Sequence, residues 1–339
     1  MNRYDFLVIC VVLLTPSRKS TAAPPKKIVP PGVNYPRSPL VTGYRVDPTW
    51  PRRAAHPWQA MPGIAVDKSG NIWTVNRGKV PVQVFDPSGR LIRQWGTDYF
   101  ASPHQISIGP KGHIWIPDSH HHVVHKFTPQ GKKLLTIGQP GKPGNDLKRL
   151  KMPTDVVELP NGNIFISDGY RNNRIVHCDA TGKIVKTWGG LGVAPGKFSL
   201  PHSIAADSKG RLYVADRNNG RIQVFTQGGR FLAQWKLCVP WTIRITARDE
   251  VYVVGTAPAH WRDSEVQLTI APKDQLMMKF DTKGRLQHWW SFRVGNGTNS
   301  KPGELAWVHG LAVDAKGNLY LGDIMGQRAQ KFRVIHAKK

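Results

Sequence analysis

Cysteine is scarce: Cys10, Cys178 and Cys238 are the three in 339 residues. Cys10 sits in an apolar N-terminal run, so at most one disulfide could form downstream of it. The repeat assignment below puts Cys178 and Cys238 in different units, where free buried thiols are expected. Acidic residues are also few, 22 against 48 Lys and Arg, which leaves a net charge of +26. Such an excess suits an anionic surface or polymer. Many of the cations, however, sit at turn tips such as "DPSGR", "DSKGR" and "DTKGR", where they are simply solvated. No basic helix, aromatic–basic platform or finger spacing is present, which argues against specific nucleic-acid binding. The glycine-rich stretches "GQPGKPGN" and "GGLGVAPGKF" do not precede a helix and are not phosphate cradles. No Ser-His-Asp arrangement with a nucleophile elbow occurs either.

The N-terminus carries Arg3, an apolar run Phe6–Leu14 and small residues at Thr21-Ala22-Ala23. That is a secretory signal pattern, too short to span a bilayer, and it implies a secreted or periplasmic protein with no transmembrane segment after processing. Residues 1–23 are assigned to the signal, 24–45 to a proline-rich linker and 46–339 to a single domain, expected to be monomeric.

What is abundant is punctuation, 33 Gly and 27 Pro at regular intervals. Between them a unit recurs. "MPGIAVDKSGNIWTVNRGKVPVQVFDPSGRLIRQWG" begins at Met61, and related units begin at Ser102, Met152, Leu200, Val239 and Trp307. Each reads as four alternating strands separated by Gly turns, with period-two patterning. Four strands in roughly 40 residues is a propeller blade, and six blades close a ring that hides every sheet edge except the short outer ones. The fold class is therefore all-β, a six-bladed β-propeller. The last unit is one strand short, and "GYRVDPTWP" is expected to supply it.

The head position of each unit, which directly follows a proline in the first four, is read as Gly63, His104, Thr154, His202, Thr242 and His309. Histidine thus occupies alternate blades. If these side chains point inward at one depth, three imidazoles converge, the donor set of a catalytic zinc with an open fourth position. The bland reading is a turn that tolerates polar residues. The His120–His122 run is expected to be a solvated loop, and His125, His177 and His288 are isolated.

The strand "VAD", its Gly turn and "RIQVF" resemble the NHL repeat over about residues 45–335, and that family forms six-bladed propellers. Within it, "SPHQI", "LPHSI" and "WVHGL" are similar to the histidine segments of peptidyl-α-hydroxyglycine α-amidating lyase. The resemblance implies a Zn²⁺ held by His104, His202 and His309. "SDGYRNNRI" matches the segment of the catalytic tyrosine, giving Tyr170; "VNRGKVPVQVFD" and "VADRNNGRIQVF" match arginine-bearing segments, giving Arg77 and Arg217. The implied reaction cleaves a carbinolamide C–N bond, releasing a peptide amide and glyoxylate. Arg217 and Arg221 also fit a structural Asp–Arg brace. Two positions depart from the family: Trp307 replaces a methionine lining the substrate site, and Gly310 replaces an aspartate of a structural calcium site. The alternative function is a non-enzymatic NHL propeller that binds an anionic polymer or protein partner through a basic face. A propeller lactonase is disfavoured, because the axial positions lack the carboxylates its calcium wants.

Overall fold

The computed structural model describes residues 42–52, 57–236, 238–256 and 274–336. The segment read as a signal, most of the linker, and residues 257–273 of the fifth-unit insertion lie outside these. Six antiparallel blades, each of four strands, make a β-propeller. Their innermost strands are Gly63–Val66, Ser107–Ile108, Asp155–Glu158, Pro201–Ala206, Val239–Ile245 and Val308–Val313. Blade 5 adds a two-residue strand, Glu304–Leu305, parallel to its outer strand Leu286–Val294. Thr42–Val46 pairs with Arg328–His336 and completes blade 6, as expected, so the first strand takes in residues 42–45 that had been assigned to the linker.

The turns explain why the strands end where they do. In blade 4, Asp207 Oδ1 accepts from the backbone N–H of Lys209 at 3.0 Å and of Arg211 at 2.9 Å. Gly210 between them has φ 71°, a left-handed conformation that a side chain would strain. Asp67, Asp86, Asp179, Asp281 and Asp314 repeat this arrangement. It satisfies turn amides that a short hairpin would otherwise leave to water.

The apolar core lies between blades rather than inside any one. Trp115 and Val124 of blade 2 pack on Ile164 and Val176 of blade 3. Phe165 and Ile175 on the opposite face of blade 3 pack on Leu212 and Phe225 of blade 4. Because the middle strands are covered on both faces they are buried throughout and mostly apolar, whereas an outer strand such as Phe231–Trp235 alternates between partly covered and exposed. Cys178 and Cys238 are free and buried, and burial pushes both thiols up to about 12. Among the described residues no helix is long and apolar enough to cross a membrane.

Candidate metal centre

Two histidines of the triad sit where their innermost strands break register, and His104 follows the isolated Pro103–Asp118 bridge ahead of its short strand. Pairing runs Pro201 with Asp216 and then Ser203 with Ala215, so His202 is the extra residue of a bulge. His309 is the extra residue between Val308 and Gly310. A bulge re-aims its residue, and here the side chains turn to the axis. The same register corrects the sequence alignment in two blades. In blade 5 the bulged residue is Trp241, not Thr242, and Gly63 pairs with Val75 at the level of Ser203, so Pro62 stands level with the histidines. Alignment of the units by their strand patterns does not show these one-residue offsets.

Four buried aspartates hold the strand entries, a role the sequence reading missed. Asp118 accepts from the N–H of Ala101 at 2.7 Å and Ser102 at 2.9 Å; Asp216 from Ser199 at 2.8 Å; Asp323 from Ala306 at 2.9 Å and Trp307 at 2.8 Å. Asp168 does the same for Lys151 at 2.8 Å, ahead of Thr154. The signal was available in the recurring "IPD", "ISD", "VAD" and "LGD" strand ends. Arg221 pairs with Asp216 at 2.7 Å and donates to the carbonyls of Val193, Ala194 and Lys197, the expected brace. Arg174 and Asp168 repeat it one blade earlier at 2.9 Å.

The three imidazoles meet. Their ring centroids are 4.8, 4.8 and 4.9 Å apart, and all three residues are buried. Metal–nitrogen bonds of about 2.0–2.1 Å in tetrahedral directions put such centroids about 5 Å apart, so the spacing fits one ion. Each Nδ1 donates to a backbone carbonyl of the next blade: His104 to Thr154 at 2.6 Å, His202 to Trp241 at 2.6 Å and His309 to Pro62 at 2.7 Å. A carbonyl can only accept, so the proton is on Nδ1 and the Nε2 lone pair is free for a metal. Burial holds all three rings far below the usual histidine range, His309 down to about 3, so they are neutral. Among the described residues this is the one group of three His, Cys, Asp or Glu residues that could hold a metal ion.

Tyr170 lies on a four-residue helix, Gly169–Asn172, after the strand Ile164–Asp168. A Cβ on Gly169 would stand 1.9 Å from the carbonyl oxygen of Pro201, so "DGY" needs its glycine to bring the tyrosine against the His202 segment. The Tyr170 hydroxyl lies 2.8 Å from His104 Nε2 and 3.2 Å from His202 Nε2. Burial pushes its pKa up, while Arg217 and then Arg77 pull it down. Arg217 is buried, its guanidinium 4.1 Å from the Trp241 ring centre; burial lowers it to about 10, still charged at neutral pH. Arg77 is exposed and donates from Nε to the Pro103 carbonyl at 3.3 Å. Trp307 packs edge-on against Trp241, with centroids 5.2 Å apart, forming an aromatic wall beside the triad. His121 pairs with Asp118 at 2.9 Å and His122 Nδ1 accepts from the Met152 N–H, so this loop stands apart from the triad.

A calcium ion does not fit the layer beneath the triad. A Cβ on Gly310 would lie 3.2 Å from both the backbone nitrogen and Cγ2 of Ile64, leaving little room for a carboxylate. The nearby side-chain oxygens of Asp155, Ser203 and Gln105 already accept from Arg244.

The NHL-repeat family model matches residues 198–225. The peptidyl-glycine alpha-amidating monooxygenase of Mus musculus is 36% identical over 209 residues, 52% of this chain and 21% of that protein, so the chain spans about a fifth of its length. Peptidyl-alpha-hydroxyglycine alpha-amidating lyase 1 of Drosophila melanogaster is 31% identical over 62% of this chain and 46% of its own. NHL repeat-containing protein 3 of Mus musculus is 28% identical over 87% of this chain and 85% of its own. A solved streptogramin B lyase shares the fold, with a TM-score of 0.58 and 16% identity over 87% of this chain and 97% of its own. The chain is a six-bladed β-propeller that carries an NHL-repeat match in its fourth blade and resembles the peptidyl-α-hydroxyglycine α-amidating lyases.

Proposed function

We propose that the chain is a lyase of the peptidyl-hydroxyglycine type, with His104, His202 and His309 as zinc ligands. The observation that carries this reading is the approach of the Tyr170 hydroxyl to two neutral imidazole nitrogens, 2.8 and 3.2 Å away. A divalent ion held by the triad would supply Lewis-acid polarisation of the substrate hydroxyl. With its own proton already lost, a state that a divalent ion at the triad and the charges of Arg217 and Arg77 would favour against burial, Tyr170 as the phenolate takes the hydroxyl proton of the carbinolamide. The C–O electrons then form the aldehyde C=O as the C–N bond breaks, and the departing amide nitrogen receives the proton from Tyr170. The products are a peptide amide and glyoxylate, with no water consumed. Arg217 and Arg77 hold the carboxylate that becomes part of glyoxylate, which suits planar, permanently charged donors. Trp241 and Trp307 keep that side of the site dry.

The test is to incubate the purified protein with a hydroxyglycine-terminated peptide and assay glyoxylate. Release that stops on metal removal and returns with zinc is expected; no release with the zinc-loaded protein contradicts the reading. The +26 charge favours a second reading, a binding propeller for an anionic partner. Under it, His104→Ala leaves binding intact while added salt weakens it.

Residues 1–23 are proposed to direct export, which would place this chemistry outside the cytoplasm.

A further inference from the structure

Directly beneath the triad the hub contains a charge that the reaction does not use. Arg244 lies on the innermost strand of blade 5 and is the only cation among the described residues lining the cavity on that side. Its Nη1 donates to Asp155 Oδ2 at 2.9 Å, Ser203 Oγ at 3.2 Å and the Ile243 carbonyl at 2.8 Å; its Nη2 donates to Gln105 Oε1 at 2.9 Å. Ser203 Oγ also donates to Asp155 Oδ2 at 2.6 Å. Gln105 passes the contact on, donating to Thr242 Oγ1 at 2.8 Å, and Thr242 in turn donates to the His309 carbonyl. Residues from blades 2, 3, 4 and 5 thus point oxygens at one guanidinium, and the chain of bonds ends on a triad residue of blade 6. An array of oxygens around a single positive centre is what a hard metal ion would require.

We propose that Arg244 is a tethered cation that takes the place of a structural metal ion at the hub of the ring, positioning the layer on which the histidine triad stands. Asp155 is fully buried and needs a positive partner. A guanidinium supplies several directed donors where a metal would supply one sphere. Behind it a cavity of about 240 Å³, walled by Ala65, Ile108, Val157, Ala205 and Val313, opens to the opposite face. Because Asp155 already matches the charge, that cavity offers an anion no net attraction. Arg244 therefore closes the inner end of this cavity.

The experiment compares wild type, Arg244→Ala and Arg244→Ala/Asp155→Asn by thermal melting in calcium-depleted buffer and with millimolar calcium, with zinc and calcium content measured by mass spectrometry. Wild type is expected to hold no calcium and to melt at the same temperature in both buffers. Arg244→Ala is expected to melt about 5–10 °C lower and to recover part of that loss with calcium, which now reaches the emptied oxygens through the cavity. The double variant is expected to lose the calcium response. Calcium bound to the wild type, or a calcium-dependent wild-type melting temperature, would overturn the proposal. So would an Arg244→Ala protein that melts like wild type. If Arg244→Ala does not fold, the wild-type measurement still decides, and Arg244→Lys, which keeps a cation, is expected to fold and remain calcium-independent. None of these readouts involves turnover, so they stand apart from the lyase assay.

Discussion

A metal-binding imidazole needs a fixed tautomer and no charge. In this ring a backbone carbonyl of the next blade supplies the first and burial supplies the second. His202→Ala removes one of three nitrogens together with the Nδ1 bond to the Trp241 carbonyl. Zinc bound after dialysis is expected to fall at least about tenfold, measured as metal per chain. Tyr170→Phe keeps the ring and removes the one hydroxyl seen between the imidazoles. Glyoxylate release is expected to drop about 10²–10⁴-fold with zinc content unchanged, which separates proton transfer from metal binding.

At the scale of the strand, the decisive device is a bulge entered through a loop pinned by a buried aspartate. Asp216→Asn weakens both the Ser199 N–H bond and the Arg221 pair at the head of the His202 strand. Breaking a buried pair costs about 3–5 kcal/mol, and urea unfolding is expected to show a loss of that size together with weaker zinc retention. A surface pair such as Arg90 with Asp86 is expected to change stability by less than about 1 kcal/mol when removed. These elements also mark what was legible. Strand number, blade number and the histidines at alternate blades could be read directly, because Asp-x-x-Gly turns and period-two patterning are local. The offsets at Trp241 and Pro62 were not, since a bulge adds a residue without changing composition. Arg244 was invisible for a related reason: its partners Asp155 and Gln105 are 89 and 139 residues away in the chain, and no spacing rule links them.

For the molecule as a whole, closure of the ring is what makes three distant histidines a site. Blade 6 is completed by Thr42–Val46 pairing with Arg328–His336, so the first and last described strands share one sheet. Arg333 reinforces the seam through Asp47 at 2.7 Å. A protein beginning after Val46 leaves an open edge strand, which invites aggregation. It is expected to melt several degrees lower and to lose zinc at the same temperature, because His309 stands on blade 6. Retention of full stability and metal by the shortened chain would show that closure is not what holds the triad.

The central claim is that three imidazoles share one ion at the hub, and metal analysis tests it most directly. Native protein is compared with His104→Ala/His202→Ala/His309→Ala by mass spectrometry, with circular dichroism to confirm that both are folded. The expected result is about one zinc per native chain and none in the folded triple variant. A native protein that neither carries nor takes up a divalent ion, or a triple variant that keeps it, would contradict the account.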